Sequence, residues 1–180
     1  MHPEFESDVQ RSLEILNQGG IILYPTDTIW GIGGDATRED VVERILDLKQ
    51  RPREKAMLVL LASNRNEFDH LETGNRPTTF IIAGLEGLAP NLPASDGSIG
   101  VRVPRDAFCQ ELLKRFGKPL ISTSANLSGQ PSASLFSEIC QEILEGVDYV
   151  VNWRQKDSTP SLPSRVVKVL DDGNILIIRE

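Results

Sequence analysis

Small polar side chains are concentrated in one short stretch near residue 120. The stretch follows an apolar run that ends at Ile121, and Gly129 lies near its end. It contains Ser122, Thr123, Ser124, Asn126, Ser128 and Ser132. Hydroxyl and amide groups at this density can bind an anion or another polar ligand. Open α/β proteins usually bind ligands where a buried strand ends. The alternative interpretation is a polar loop whose serines cap a helix.

Positive charges are concentrated in residues 49–55, although the chain as a whole is acidic. Four cations, Lys49, Arg51, Arg53 and Lys55, lie within these seven residues. Cations are favourable at the C-terminus of a helix, and this explains Lys49 well. The other three lie around or beyond Pro52. An extended basic segment is suited to binding phosphate, because arginine makes bidentate contacts with phosphate oxygens.

A segment rich in glycine and threonine, residues 25–34, follows the first predicted strand. Its glycines let the backbone approach a ligand closely, and the hydroxyls of Thr26 and Thr28 can bind one. Alternatively, the Thr and Asp side chains cap their own turn. The spacing matches neither a P-loop nor a dinucleotide-binding fingerprint.

Arg102 interrupts an apolar run over residues 98–104. Strand alternation places Ser98, Gly100 and Arg102 on one face. Arg102 is therefore either a solvent-facing residue of an edge strand or a residue that binds a carboxylate. Residues 158–165 are rich in Ser and Pro, which is typical of a simple loop, and Arg179 lies near the C-terminus.

Composition narrows the class of protein. The 180 residues are 39% apolar and 25% charged, which predicts one soluble globular domain over residues 1–180. The net charge of −7 argues against a surface coated with cations that would bind nucleic acid.

No apolar run reaches the roughly 20 residues of a membrane span. The acidic N-terminus is not typical of a signal peptide, and Cys109 and Cys140 are expected to be reduced thiols. These features predict a cytoplasmic protein.

The histidines and cysteines disfavour several enzyme classes. His2 and His70 lie in acidic surroundings without a nearby Ser or Cys nucleophile motif, so a Ser-His-Asp hydrolase is disfavoured. No cluster has the ligand spacing of a zinc site. A reaction that holds phosphates and aligns two small substrates fits the residues better.

The pattern of apolar residues predicts a mixed α/β chain. Helices are predicted over residues 5–18, 37–49, 106–116 and 134–144, the second opened by a capping box at Thr37. Strands are predicted over residues 21–24, 57–61, 78–83, 99–103, 119–121, 148–153, 165–170 and 175–179. Residues 25–34 are predicted to be a loop, and residues 171–174 a hairpin turn between the last two strands. This hairpin breaks strict βαβ alternation, so a mixed sheet is expected.

Together these segments resemble the YrdC-like family, the threonylcarbamoyl-AMP synthases. The family's motifs occur here in order over nearly the whole chain. They are PT[DE]T-x-[YFW]-G-[LI]-G at residues 25–33, K-x-R-P at 49–52, V-R-[VM]-P at 101–104, S-x-N at 124–126 and P-S-x-[IV] at 163–166. Each motif is weak alone, and their order and spacing make the combination specific.

The resemblance implies a fold and a reaction. The fold would be a single α/β domain, a twisted mixed sheet with helices on its faces around a concave basic cavity. The reaction would join L-threonine, bicarbonate and ATP, with Mg²⁺ bridging phosphate oxygens, to give threonylcarbamoyl-AMP and pyrophosphate. A separate tRNA threonylcarbamoyl transferase would receive the product, with at most a weak tRNA contact by this chain. The alternatives are a YrdC-like paralogue acting on another small substrate and a non-catalytic RNA-binding module.

The resemblance also implies roles for individual residues. The threonine-site positions would be Thr28, Arg102, Ser122 and Ser164, with Arg102 pairing with the amino-acid carboxylate. The nucleotide side would comprise Arg51, Lys55, Ser98, Ser124, Ser132 and Arg179. The signature residues expected to act in catalysis are Lys49, Arg51, Ser124 and Asn126, and no metal site on the protein is expected. Leu60 stands where many relatives carry His, which is expected to remove one threonine contact.

Overall fold

The computed structural model describes residues 3–52, 57–62, 76–170 and 175–180. The helices are α1 (Glu6–Asn17), α2 (Glu39–Leu48), α3 (Ala107–Phe116) and α4 (Gln141–Gly146). The strands are β1 (Ile22–Tyr24), β2 (Gly31–Gly33), β3 (Leu58–Leu60), β4 (Thr78–Ala83), β5 (Ser98–Arg102), β6 (Leu120–Ser124), β7 (Tyr149–Val150), β8 (Arg165–Val169) and β9 (Ile175–Arg179). Single 3-10 turns span Pro3–Phe5 and Phe136–Glu138.

One mixed sheet contains all of these strands. Their order is β7-β1-β2-β6-β3-β5-β4-β8-β9. The pairs β1–β7, β3–β5 and β4–β8 are parallel, and the other neighbours are antiparallel. This confirms the predicted α/β class and mixed sheet. It also places β5, and therefore Arg102, inside the sheet, so the edge-strand interpretation of that arginine is wrong.

Helices cover the sheet because its strands alternate apolar side chains between two faces. Leu23 of β1 packs in a core cluster with residues of α2 and α4, including Ile45 and Ile143. Its neighbours Ile22 and Tyr24 pack in a second cluster with α1 and α3. Alternate residues of one short strand therefore hold two helix layers in place.

The ends of α3 are encoded locally. The Asp106 carboxylate caps the helix by accepting from the backbone N–H of Cys109 at 3.1 Å. Gly117 ends it with a left-handed φ of 71°, a conformation that glycine adopts without a Cβ penalty. These caps explain why the boundaries of this helix were predictable.

Three local predictions were wrong. Residues 25–34 are not entirely a loop, because they include β2. The Thr37 hydroxyl does not open α2; it donates to Asp35 Oδ1 at 2.6 Å, and the helix begins after Arg38. The helix predicted over residues 134–144 is split, because the Glu138 carboxylate accepts from backbone N–H groups ahead of it and closes a single turn. The predicted turn at 171–174 lies outside the described residues.

No helix in the described part of the chain is long and apolar enough to cross a membrane. Both cysteines are free thiols, with Cys109 buried and Cys140 partly buried, as predicted for reduced core thiols.

Two glycines of β2 provide a matched test of close packing beneath the loop between β1 and β2. A Cβ on Gly33 would lie 2.4 Å from the Ile121 carbonyl oxygen and 2.8 Å from Tyr24 Cε1, whereas the nearest atom to a Cβ on Gly31 is Ser122 Oγ at 3.3 Å. We expect Gly33→Ala to lower the free energy of unfolding by about 2–3 kcal/mol, and Gly31→Ala to lower it much less. Denaturant unfolding measures both values, and equal losses would contradict the packing argument.

Candidate active site

A cavity of about 330 Å³ opens where the loop after β1 meets the central strands and the β4–β8–β9 end of the sheet. Of the twelve residues predicted for the site, nine line it. These are Thr28, Arg51, Ser98, Arg102, Ser122, Ser124, Ser132, Ser164 and Arg179. Lys49 and Asn126 do not line it, and Lys55 lies outside the described residues. Segments far apart in the sequence therefore converge on one cavity.

Arg102 is held at the carboxyl end of β5 and is only 5% exposed. Its Nη1 donates to Thr28 Oγ1 at 2.8 Å, and its Nη2 donates to Asp27 Oδ1 at 2.6 Å. Its Nε is buried without a hydrogen-bond partner among the described residues. An unsatisfied buried donor costs about 1–3 kcal/mol, so this guanidinium has hydrogen-bonding capacity that the described residues do not use.

A chain of hydroxyls orients Thr28 toward Arg102. The Thr26 hydroxyl donates to the Ile29 carbonyl at 2.9 Å, so the Thr28 hydroxyl donates to Thr26 Oγ1 across the 2.9 Å between them. This leaves a Thr28 lone pair for the guanidinium of Arg102. The other oxygen of Asp27 accepts from the backbone N–H of Arg105 at 3.1 Å. Sequence reasoning singled out Thr28 and Arg102 but missed Asp27, whose only signal was a carboxylate between two threonines.

A second group of contacts joins Ser164 to β4 and β9. The Thr79 and Ser164 hydroxyl oxygens lie 2.8 Å apart, and both residues are buried. Arg179 donates to the Ser164 carbonyl oxygen from Nε at 3.2 Å and from Nη2 at 2.7 Å. Thr79 was missed because it lies in an apolar strand. The available signal was a hydroxyl residue within an otherwise apolar predicted strand over residues 78–83.

The end of α2 explains why Lys49 and Arg51 occupy different places. Gln50 is left-handed, with φ of 50°. Its N–H donates to the Asp47 carbonyl, and the Arg51 N–H donates to the Leu46 carbonyl at 2.9 Å, which is a Schellman motif. The chain reverses its course at Gln50. Lys49 is therefore left in the interior, and Arg51 reaches the cavity wall.

Lys49 fastens the polar segment that follows β6. Its Nζ donates to the carbonyl oxygen of Asn126 at 2.6 Å and to that of Ser124. Its own carbonyl accepts from the Ser128 N–H at 2.8 Å. The residue is 1% exposed, and burial, with a smaller contribution from the Arg51 guanidinium, lowers the pKa of Lys49 to about 8. The geometry gives Lys49 a supporting place beneath Ser124.

Asn126 organises the same segment from within. Its Nδ2 donates to the carbonyl oxygens of Leu127 at 3.0 Å and Gln130 at 2.7 Å. The amide therefore stabilises a turn beside the cavity. Asn126 thus belongs to a polar loop, whereas Ser122 and Ser124 belong to β6 itself and line the cavity.

Other predicted residues have more local surroundings. The Ser98 hydroxyl donates to the exposed Asp96 carboxylate at 2.6 Å and retains its acceptor lone pairs toward the cavity. Leu60 is fully buried in the core cluster with Leu112 and Leu120 and is not among the lining residues. Leu60 therefore contributes nothing to the described cavity wall, and the expected loss of one threonine contact stays a prediction. Within the described ranges, no group of three or more His, Cys, Asp or Glu is placed to hold a metal ion.

The charged residues in the described cavity lining are arginines, and a carboxylate outside the lining is paired with one of them. Arg51, Arg102 and Arg179 line the cavity, and Arg102 is paired with the carboxylate of Asp27. The expectation of a basic cavity stays a prediction. The arrangement can bind an anionic group beside a small polar molecule, because both hydroxyl and guanidinium groups line it.

Known proteins are similar to this chain in sequence and in fold. The family model for Sua5, YciO and YrdC, described as "Telomere recombination", matches residues 14–180. The threonylcarbamoyl-AMP synthase of Vibrio parahaemolyticus is 32% identical over 171 residues, which cover 87% of this chain and 91% of that protein. The structure of E. coli YciO superposes with a TM-score of 0.79 at 26% identity, covering 97% of this chain and 89% of that one.

A longer protein contains the same fold. The structure of P. abyssi Sua5 in complex with L-threonine has a TM-score of 0.78 at 20% identity, and the match covers 97% of this chain and 54% of that one. The likeness at this identity concerns the fold. Taken with the family match over residues 14–180, it leads to one conclusion: this chain belongs to the Sua5/YciO/YrdC family.

Proposed function

We propose that this chain is a threonylcarbamoyl-AMP synthase, which converts L-threonine, bicarbonate and ATP to threonylcarbamoyl-AMP and pyrophosphate. The observation that carries the proposal is the buried Arg102, with an unpartnered Nε, in a cavity that Arg51 and Arg179 also line. Support also comes from curated relatives of this name that are about one third identical over most of their length.

In this proposal the threonine carboxylate accepts from Arg102. The hydroxyls of Thr28, Ser122 and Ser164 surround the rest of the amino acid, as hydrogen-bond partners for its ammonium and hydroxyl groups. Buried hydroxyls built to pair with a substrate hydroxyl discriminate strongly against an analogue that lacks it. This end of the cavity would therefore select threonine over an aliphatic amino acid of the same size.

The nucleotide would occupy the wall that carries Arg51, Ser124, Ser132 and Arg179. Guanidinium groups offset the charge of the triphosphate, and the serine hydroxyls donate to its oxygens. Mg²⁺ would arrive as part of the Mg–ATP substrate, held by phosphate oxygens, so the residues described here need not form a metal site of their own.

The chemistry needs positioning more than a strong nucleophile. The threonine ammonium first loses a proton to solvent. The neutral nitrogen then attacks the carbon of bicarbonate, with loss of water, or that of CO2, with loss of a second proton to solvent, and a carbamate forms. A carbamate oxygen then attacks the α-phosphorus, the bond to the β-phosphate oxygen breaks, and pyrophosphate leaves. Arg102 orients the amino acid, and Arg51 stabilises charge on the phosphates, which is how such a site accelerates a reaction between bound partners.

The product would be passed to a tRNA threonylcarbamoyl transferase in the cytoplasm, as part of the same proposal. A paralogue that uses another small substrate would have the same fold, and an RNA-binding module would not need buried hydroxyls and a buried guanidinium directed into a cavity. The substrate test below separates these three functions.

The test is pyrophosphate release by the purified protein with Mg–ATP and bicarbonate. We expect release only when threonine is added, together with a product of the mass of threonylcarbamoyl-AMP. Serine, valine and 2-hydroxybutyrate serve as matched analogues and should support much slower release. Release that ignores threonine would indicate the paralogue, and tight salt-sensitive RNA binding without any release would indicate the RNA-binding module.

A further inference from the structure

We propose that Asp27 determines specificity in this cavity: by neutralising Arg102 it directs the triphosphate to the other arginines and reserves Arg102 for the carboxylate of an amino acid. The inference rests on the proposed function, since it requires that both substrates occupy the cavity together. It concerns a residue that does not itself line the cavity.

Asp27 is fixed in a position that keeps its charge on Arg102. Its Oδ1 lies 2.6 Å from Arg102 Nη2, and its Oδ2 accepts from the Arg105 backbone N–H at 3.1 Å. The side chains of Arg102 and Asp27 are 5% and 15% exposed, so water screens their interaction weakly. Because both carboxylate oxygens are held, Asp27 cannot rotate away without losing both contacts.

The arginine at the edge of the sheet has a different partner. Arg179 donates from two nitrogens to the carbonyl oxygen of Ser164, which carries no formal charge. Its positive charge therefore still acts on a ligand in the cavity, whereas the charge of Arg102 is offset by a carboxylate. Two guanidinium groups on the wall of one cavity thus present different fields to an incoming anion.

The two substrates respond differently to that difference. A triphosphate is multiply charged, and its binding depends on net positive charge, so a neutral Arg102–Asp27 pair attracts it weakly. An amino acid is a zwitterion without net charge, and it needs hydrogen-bond donors for its carboxylate. Arg102 lines the cavity, and in the described structure Thr28 and Asp27 engage one N–H each of its five donors, so others are left for a carboxylate. Asp27 therefore removes the attraction for phosphate and keeps the donors for a carboxylate.

Titration calorimetry with threonine and inorganic triphosphate tests the inference without turnover. In the wild type, saturating triphosphate should change the Kd for threonine by less than about twofold. Asp27→Asn keeps the size of the side chain and an acceptor for Arg102 but removes the charge. In this variant triphosphate should bind at Arg102 as well and raise the apparent Kd for threonine by about tenfold or more. Asp27→Glu keeps the charge and should behave as the wild type.

Two results would show that Asp27 does not determine which anion binds at Arg102. Loss of threonine binding in Asp27→Asn without competition by triphosphate would reduce Asp27 to a structural support and overturn the inference. Competition in the wild type or in Asp27→Glu would overturn it as well. Thermal melting checks the fold of each variant, and Asp27→Ser is the second neutral variant if Asp27→Asn does not fold. Failure of the proposed function is recognised separately, as the absence of threonine-dependent pyrophosphate release by the wild type.

Discussion

Arg102→Gln is expected to lower kcat/KM for threonine by about 10²–10³-fold, because charge-assisted hydrogen bonds to the carboxylate are lost. Glutamine retains one amide donor but neither the charge nor the fork of donors. The Kd for ATP should change far less, since Arg51 and Arg179 remain in the cavity wall. Pyrophosphate release at varied threonine and nucleotide binding in separate titrations measure the two effects.

Arg102→Gln needs a control for stability, because it leaves Asp27 without its partner. Removing one member of a buried ion pair costs about 3–5 kcal/mol. The double variant Arg102→Gln/Asp27→Asn should recover much of that stability and still fail to use threonine. Arg38→Gln is a matched surface change, since Arg38 pairs with Asp40 and is 41% exposed. Equal losses of threonine use and ATP binding in Arg102→Gln would contradict the assigned role.

Lys49→Met is expected to lower kcat by about 10²-fold or more and the free energy of unfolding by about 3 kcal/mol at high pH. The variant removes Lys49 Nζ, which donates to the carbonyl oxygens of both Ser124 and Asn126. The segment that follows β6 therefore loses two hydrogen bonds that hold it in place. A displacement of about 1 Å at a positioning group is sufficient for a rate loss of this size. Lys114→Met, on the exposed side of α3, is the matched control.

The loss of stability in Lys49→Met should also depend on pH. The pKa of Lys49 is lowered from 10.5 to about 8 in the folded protein, so between these values the unfolded chain binds more protons. Stability contributed by Lys49 therefore rises as pH rises from about 8 toward 10.5 and is lowest below pH 8. The difference in unfolding free energy between wild type and Lys49→Met should be about 2 kcal/mol larger at pH 9.5 than at pH 7. A difference that stays constant or shrinks would contradict the burial of a charged lysine.

The sequence allowed the α/β class, most elements and most of the polar side chains of the cavity wall to be predicted, because these depend on local patterns. Arg102 is an example, since a cation within an apolar strand demands a partner or a ligand. Its partner Asp27 was missed because the two are 75 positions apart, and only the packing of β5 against the loop after β1 joins them. Pairings of this kind are fixed by tertiary contacts and leave no periodic signal.

The separation of Lys49 from Arg51 has a similar cause. Both were predicted to act in catalysis as members of one short motif at residues 49–52. The left-handed turn at Gln50 separates them. Glutamine does not indicate such a turn in a sequence, because glycine or asparagine usually occupies this position. Likewise, the helix predicted over residues 134–144 had a suitable pattern, but the Glu138 side chain satisfies the backbone of a single turn instead.

Residues as distant in the sequence as Thr28 and Arg179 line the cavity. Hydrogen bonds that fix its loop already join residues 74 and 128 positions apart. Non-local contacts of this kind form slowly, because closing long loops costs entropy before the contacts form. A partly folded chain can therefore hold its helices and still have no site. A substrate that binds the finished cavity stabilises the complete topology by mass action, so substrate supply in the cell would favour retention of fully folded molecules over partly folded ones.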